Sequence, residues 1–175
     1  NLGNAYDSLG QYQQAIDYDQ QSLAIFREIG DRKSEAASLT SLGSTYRSLG
    51  QYQQAIDYHQ QSLAIYLEIG DRKSEAASLN NLGNAYDSLG QYQQAIDYDQ
   101  QSLAIFREIG DRKSEAASLT SLGSTYRSLG QYQQAIDYHQ QSLAIYLEIG
   151  DRKSEAASLN NLGNAYDSLG QYQQA

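Results

Sequence analysis

Few residues in this 175-residue chain could do chemistry, and their spacing does not assemble a reaction centre. The two histidines, His59 and His139, lie far apart in the sequence, so they do not form a paired metal site. Asp57 and His59 are two positions apart, and such side chains point away from each other on a helix. A Lys-Ser pair follows Gly70, but it lacks the glycine-rich loop that cradles phosphate. We therefore predict no catalytic, cofactor-binding or metal-binding residues.

The composition narrows the classes of partner. The chain has no Cys, which removes disulfides and thiolate chemistry and is compatible with either the cytoplasm or an extracellular filament. Lys and Arg number 12 against 21 Asp and Glu, a net charge of −9. An acidic surface repels phosphate backbones and anionic membranes, so we predict neither nucleic acid nor membrane as a partner. An RNA-reading helical repeat, the nearest alternative, would need a basic groove.

The sequence repeats with a 40-residue period. Residues 81–160 copy residues 1–80 without a change, and residues 161–175 copy residues 1–15. A fixed period of this length indicates a stacked array of similar units. The Gln and Tyr content also fits a disordered, aggregation-prone tract, but the regular spacing of Leu, Ile and Ala argues against that alternative.

Two apolar stripes at helical spacing lie in each period. In the second period they are Leu39, Leu42, Tyr46 and Leu49, then Tyr52, Ala55, Ile56, His59, Leu63, Tyr66 and Ile69. Gly50 and Gly70 follow the stripes and are placed to end helices in the left-handed conformation. Asp31 is placed to cap the first helix. The pattern predicts helix A over about 32–49 and helix B over about 52–69.

Short connections make each repeat an antiparallel helical hairpin. A single hairpin cannot bury both apolar stripes, whereas stacking on neighbouring repeats can, at roughly 1.5–3 kcal/mol for each large apolar side chain fully buried. The predicted fold class is therefore all-α, an α-solenoid of stacked antiparallel helical hairpins with a 40-residue repeat and an 80-residue super-repeat.

The sequence NNLGNAY at 80–86, followed by LGQYQQAI at 89–96, resembles the tetratricopeptide repeat (TPR). The family pattern falls on Leu82, Gly83, Tyr86, Gly90, Tyr92 and Ala95. Gly83 and Ala95 would let helices A and B approach closely. This sequence departs from the commonest form in three ways. Its repeat is longer, it lacks the usual proline, and a serine (Ser62 or Ser102) occupies the position of helix B that usually has another small residue. These features resemble a longer variant found in Pins-type scaffolds and long bacterial arrays.

The resemblance covers the whole chain and implies a right-handed superhelix whose A helices line a concave groove. It implies one solenoid over 1–175, with repeats at about 32–71, 72–111 and 112–151 and partial repeats at 1–31 and 152–175. It also implies protein binding rather than catalysis.

Two successive repeats differ at eight positions: Asn1/Ser41, Asn4/Ser44, Ala5/Thr45, Asp7/Arg47, Asp19/His59, Phe26/Tyr66, Arg27/Leu67 and Thr40/Asn80. By family analogy, the candidate groove or inter-repeat contacts are Asn4, Asp7, Thr40, Ser44, Arg47, Asn80, Asn84, Asp87, Thr120, Ser124, Arg127, Asn160, Asn164 and Asp167. Alternating Asp and Arg favour a ladder of ion pairs that sets the order of repeats. The alternative is a groove that grips a peptide.

Other variable positions suggest polar pairs and an exposed apolar contact. Asp19, His59, Asp99 and His139 alternate in the middle of helix B. We predict polar pairs between neighbouring repeats with a charged imidazolium, or alternatively a pH-dependent switch in stacking. Leu67, repeated at Leu147, is expected to be exposed and suited to crystal packing or lateral contact in a filament.

Two functions of different class remain. The first is a structural scaffold, a segment of a long uncapped array or filament that partners itself by stacking. It is favoured because no atypical end repeat is visible and the 80-residue unit shows no drift. The alternative is a soluble adaptor that binds a protein or peptide in its helix A groove. Because the sequence begins and ends inside predicted helices, we expect it to be a window on a longer array.

Overall fold

Eight α-helices and no strands form in residues 10–170, the part of the chain that the computed structural model describes. The helices are α1 (Tyr12–Ile29), α2 (Arg32–Ser48), α3 (Tyr52–Ile69), α4 (Arg72–Ser88), α5 (Tyr92–Ile109), α6 (Arg112–Ser128), α7 (Tyr132–Ile149) and α8 (Arg152–Leu169). The even-numbered helices are the A helices and the odd-numbered helices are the B helices. The predicted boundaries are confirmed, except that α2 ends at Ser48, one residue early.

Glycine and aspartate set these boundaries as predicted. Gly50 and Gly70 have φ of 75° and 70°, and Gly70 lies immediately after α3 as its left-handed cap. This conformation carries a steric cost for residues with a side chain. The Asp31 carboxylate accepts a hydrogen bond from the Ser34 backbone N–H at 3.1 Å, which satisfies a free amide at the start of α2.

Contacts within a repeat show that its two helices run antiparallel. The contacts that join α2 to α3 include those of Ala36 with Ser62, Gly43 with His59, and Tyr46 with Tyr58. Residue numbers rise along α2 while they fall along α3, so the pair is an antiparallel hairpin. Gly43 lies against the His59 ring, and this close approach explains why the position has no side chain.

Each B helix also packs on the A helix of the next repeat. Ser22 Oγ and Ser38 Oγ lie 3.2 Å apart, and Ser41 Oγ donates a hydrogen bond of 2.6 Å to the Asp19 carboxylate. Helix α2 therefore lies between α1 and α3, and it also touches α4, the next A helix.

The chain forms two compact units, Asn1–Gly90 and Gln91–Ala175. The core of the first unit contains Ile16, Leu23, Ala36, Leu39, Leu42, Ile65 and Tyr66. The core of the second contains the residues at the equivalent positions of the next super-repeat: Ile96, Leu103, Ala116, Leu119, Leu122, Ile145 and Tyr146. Because the two sets are equivalent, one packing pattern serves both units, and the predicted class of stacked helical hairpins is confirmed.

Candidate functional site

A network of charges forms at the start of the A helices. The Glu35 side chain is only 8% exposed, and its carboxylate accepts hydrogen bonds from Arg27 Nε at 3.0 Å and from the Arg32 guanidinium. Arg32 also donates to Glu68 at the end of α3. Burial by itself would raise the pKa of Glu35, but the two arginines outweigh burial and hold that pKa below its ordinary value. The network thus joins three helices around one ionised carboxylate.

A second ion pair joins neighbouring A helices. Lys33 Nζ of α2 lies 2.8 Å from the carboxylate of Asp71, the residue that caps α4. The hydrogen bond from Lys33, followed by that from the Ser74 backbone, lowers the pKa of Asp71. The second unit has the same arrangement, and Lys113 lowers the pKa of Asp151 to about 2. Each such aspartate both caps a helix and pairs with the preceding repeat.

The charge network differs between successive repeats, because one of its arginines lies at a position that varies. Leu67 occupies the position of Arg27 in the next repeat, and Glu75 is there paired with Arg72, whose Nη1 lies 2.7 Å from both carboxylate oxygens. Leu67 is 55% exposed and Leu147 is 54% exposed, as expected from the sequence. Their use as lateral contacts remains a prediction.

The predicted groove residues of the A helices are half-buried or exposed wherever the structure describes them. Asn4 and Asp7 lie outside the described residues. The half-buried set is Thr40, Ser44, Asn80, Asn84, Asp87, Thr120 and Ser124, and the exposed set is Arg47, Arg127, Asn160, Asn164 and Asp167. Thr40 Oγ1 donates to the Ala36 carbonyl at 3.0 Å and lies 2.7 Å from Ser62 Oγ, so this hydroxyl contacts helix B of its own repeat. Asn84 donates to Asn80 at 3.4 Å.

The ion pairs seen between repeats differ from the predicted Asp–Arg ladder. Among the described residues of each unit, no ion pair joins Arg47 to Asp87 or Arg127 to Asp167. The inter-repeat pairs within each unit instead use Arg27 with Glu35, Lys33 with Asp71, and their equivalents. The sequence contains a signal for them, since the DRKSE segment recurs in every repeat without variation.

The buried histidines correct one prediction. His59 is 1% exposed, and its Nδ1 has no hydrogen-bond partner in residues 10–170. Burial, and then the positive charge of Arg47, lower the pKa of His59 to about 4. The predicted charged imidazolium is therefore wrong at neutral pH. Asp19 is bonded to Ser41 and no hydrogen bond joins it to His59 in this region.

The second unit repeats this arrangement. His139 is 1% exposed beside Gly123, and its pKa is also lowered to about 4 by burial and by Arg127. Asp99, at the equivalent position of the other repeat type, is likewise buried at 1% exposure.

An open cleft lies between consecutive B helices and was not predicted from the sequence. It has a volume of about 490 Å³ and lies between α1 and α3. One wall is formed by Gln20, Leu23, Ala24 and Arg27, and the other by Gln54, Asp57, Tyr58 and Gln61. Both walls follow the spacing of one helix face. A cleft of about 510 Å³ lies between α5 and α7, lined by the equivalent residues of the second unit.

The tyrosine that lines this cleft is held by another tyrosine. The Tyr46 and Tyr58 rings stack with centroids 5.2 Å apart and planes 7° apart. Burial, and then the neighbouring Tyr58, raise the pKa of Tyr46. The stack joins α2 to α3 and fixes one wall of the cleft. The recurrence of Tyr at positions 46 and 58 in every repeat was the available signal.

Residues 10–170 contain no candidate metal-binding cluster and no helix that could span a membrane. No group of three His, Asp or Glu side chains is placed to hold a metal ion in this part of the chain. Of the helices formed by these residues, none combines the length and apolar character needed to cross a membrane.

Comparison with known sequences decides the family. The profile of the Tetratricopeptide repeat matches residues 1–68, 37–108, 74–148 and 114–175, which together span the chain. The chain belongs to the tetratricopeptide repeat family. The resemblance inferred from the LG, GQY and Ala95 positions is thereby confirmed. No match was found among curated protein sequences.

Solved structures with the TPR fold resemble the chain over nearly its whole length. A putative kinesin light chain with nearly identical TPR-like repeats from Podosopora anserina is 30% identical, with a TM-score of 0.81 over 99% of this chain and 86% of the other. BtubC from P. vanneervenii is 22% identical, with a TM-score of 0.86 over 99% of this chain and 72% of that one.

A Rap protein complexed with competence and sporulation factor has the same fold at 20% identity, with a TM-score of 0.85 over 99% of this chain and 48% of that chain. TPR proteins in general bind proteins or peptides, and the TPR fold is typically not enzymatic.

Proposed function

We propose that this TPR chain is a non-enzymatic scaffold segment, one solenoid of a long array held together by stacking between repeats. One observation supports the proposal: the inter-repeat contacts recur with the same geometry at equivalent positions of the two units. The Lys33–Asp71 and Lys113–Asp151 pairs both measure 2.8 Å. The Ser22–Ser38 and Ser102–Ser118 hydroxyls are both 3.2 Å apart. Because one interface serves both units, further repeats can be added without new contacts.

The proposal is tested by proteins that contain one, two or three copies of the 80-residue unit. If stacking between repeats holds the array, the midpoint of guanidinium unfolding followed by circular dichroism rises with copy number. Electron microscopy of the same samples should show particles that lengthen with copy number. A midpoint independent of copy number contradicts stacking, and particles of constant length contradict a linear array.

Association into filaments needs its own measurement. Sedimentation velocity at increasing protein concentration should show species larger than the monomer if arrays join. A single monomeric species at every concentration excludes filament assembly and leaves a scaffold made of one chain.

A second candidate, a peptide-binding adaptor, is supported by the exposure of Arg47 on α2, which leaves its guanidinium accessible to a ligand on the A helices. A double-mutant cycle with Arg47→Ala and Asp87→Ala tests the ion-pair ladder. Additive effects on the free energy of unfolding contradict the ladder, whereas a coupling of about 0.5 kcal/mol or more supports it.

A further inference from the structure

The cleft between α1 and α3, called here the B-helix cleft, has the features of a peptide-binding site away from the A helices. Arg27, whose side chain is 52% exposed, lies at one end of its α1 wall. Its Nε is bonded to Glu35, and this is the only hydrogen bond of the Arg27 side chain within residues 10–170. Its two Nη groups therefore keep four N–H donors for a ligand, and a carboxylate is the acceptor that fits a guanidinium best.

The remaining polar groups of the B-helix cleft suit a peptide backbone. Gln20 and Gln54 face the cleft from opposite walls, and each side-chain amide offers one acceptor and two donors. The Asp57 carboxylate accepts from Gln53 at 3.2 Å and presents further acceptor capacity on the α3 wall. These groups match the N–H and C=O of an extended chain, which have no hydrogen-bond partners within the peptide itself.

An apolar strip completes the lining. Leu23, which is 6% exposed, and Ala24 lie on the α1 wall opposite the Tyr58 ring. The Tyr58 ring is held in place by its stack on Tyr46, so the strip is formed before any ligand binds. It can cover the aliphatic part of one side chain between the polar groups.

The length of the cleft limits the ligand. The α1 wall extends from Gln20 to Arg27, a span that rises about 10 Å along the helix. An extended peptide rises about 3.3 Å per residue, so about three residues fit.

We propose that each B-helix cleft binds an extended three-residue segment of another protein, with one acidic side chain paired to Arg27 and its backbone hydrogen-bonded to Gln20, Gln54 and Asp57. A second copy of this chain is disfavoured as the occupant, because its net charge of −9 makes copies repel each other. The equivalent cleft with Arg107 offers a second site on the same chain. A partner with two such segments would bind both with increased avidity if its linker spans them.

The chain supplies its own control substitution. The alternate repeats carry Leu67 at the position of Arg27, and Glu75 there is paired with Arg72. Arg27→Leu together with Arg107→Leu should therefore remove the ligand contact without unfolding the chain, which circular dichroism verifies. Arg27→Lys with Arg107→Lys is a second variant that keeps the charge but not the forked donor.

The experiment uses the full chain labelled with ¹⁵N-arginine and two blocked peptides, acetyl-Ala-Ala-Glu-Ala-Ala-amide and its Gln counterpart. The Arg27 and Arg107 Nε–H signals are assigned by their loss in the double Leu variant. We expect the Glu peptide to shift these signals saturably at low salt, and the Gln peptide to bind several-fold more weakly. The Leu and Lys variants lack these signals, so isothermal titration calorimetry compares their affinity for the Glu peptide with that of the unmodified chain. The Leu variant should lose the binding, and the Lys variant should bind less tightly.

Four results would overturn the proposal. These are equal binding of both peptides, no shift of the Arg27 and Arg107 signals, shifts confined to Arg47 and Arg127, or self-association by sedimentation that the double Leu variant abolishes. The third would place the ligand on the A helices, and the fourth would make a second copy the occupant. The copy-number series that tests the scaffold function is independent of all four.

Discussion

Buried titratable side chains in this protein are kept in one charge state by their immediate neighbours. Glu35 is ionised because Arg27 and Arg32 donate to it, which outweighs the cost of its burial. His59 lies beside Gly43 and near Arg47, and it is neutral because burial and that positive charge disfavour a second proton. Both side chains are buried, yet Glu35 is ionised and His59 is neutral, because only the carboxylate has partners of opposite charge.

The neutral histidines predict a specific pH dependence of stability. Above about pH 6.5, His59 and His139 are neutral in both folded and unfolded states and the stability does not depend on them. Below that pH the unfolded chain takes up protons, whereas the folded chain does so only near pH 4. The free energy of unfolding should therefore fall between pH 6.5 and 4, by up to about 3 kcal/mol per histidine.

Urea denaturation at several pH values checks this prediction. The double variant His59→Phe, His139→Phe keeps an aromatic ring at each position and removes the titration. Its stability should lack the fall between pH 6.5 and 4, while both proteins share the loss at lower pH from carboxylates such as Asp71, whose pKa is depressed. A parallel decline in the two proteins through this range would show that other groups cause it.

Because Gly43 contacts His59, we expect replacement of Gly43 by alanine to destabilise the fold. A Cβ added at Gly43 would lie 2.5 Å from His59 Cε1, so the ring, which is only 1% exposed, would have to shift. Gly43→Ala should lower the free energy of unfolding by about 1–3 kcal/mol, although alanine favours helix more than glycine does. In a His59→Ala background the same change should cost much less or stabilise. Equal costs in both backgrounds would mean that the contact does not limit this position.

At the scale of the helix, a single aspartate both caps a helix and forms an ion pair with another helix. Asp71 caps α4 through the Ser74 backbone N–H at 3.1 Å and pairs with Lys33 of α2 at 2.8 Å. The helix start is therefore tied to the preceding repeat. The cap is a local interaction, whereas the ion pair exists only when two A helices stack.

Two substitutions of Asp71 separate these contributions. Asp71→Asn keeps a capping side chain and should cost less than about 1 kcal/mol, with an effect that diminishes at high salt. Asp71→Ala loses both interactions and should cost about 1–2 kcal/mol, much of it insensitive to salt. Urea denaturation at low and high NaCl measures both. If the Asn variant were as unstable as the Ala variant at high salt, the cap would not be the main contribution.

The arginines around Glu35 should differ in importance. Arg27→Leu recreates the arrangement around Glu75, in which Arg72 is the arginine that pairs with the glutamate, so it should cost less than about 1 kcal/mol. Arg32→Ala removes the contacts to both Glu35 and Glu68 and should destabilise the chain more than Arg27→Leu does, because a buried carboxylate loses a partner. Equilibrium unfolding measures the loss of stability in the two variants. A larger loss for Arg27→Leu than for Arg32→Ala would contradict the prediction.

At the scale of the whole molecule, each unit contains the same core and the same ion pairs at equivalent positions. The cluster that contains Leu39 and Leu42 recurs as the cluster that contains Leu119 and Leu122. Stability in such a chain comes from neighbouring repeats rather than from one central core.

Much of the fold was predictable because the signals are local. Gly50, Gly70 and Asp31 determine where helices begin and end through backbone conformation and hydrogen bonds within a few residues. The apolar stripes predicted which faces are buried. The candidate site was less predictable: the sequence indicated a polar pair of Asp19 with His59, but Asp19 bonds to Ser41 of α2 instead. Helix α2 lies between the two B helices, and His59 packs on its Gly43.

By itself, the sequence therefore determined the helices, their caps, the 40-residue repeat and the family. Only the tertiary structure decided that Glu35 is ionised between two arginines, that His59 is neutral, and that Arg27 borders a cleft with Asp57 and Tyr58. The physical reason is distance along the chain. Helix starts and stops depend on neighbours within one turn, whereas burial, pKa and cleft geometry depend on side chains that packing brings together from different helices.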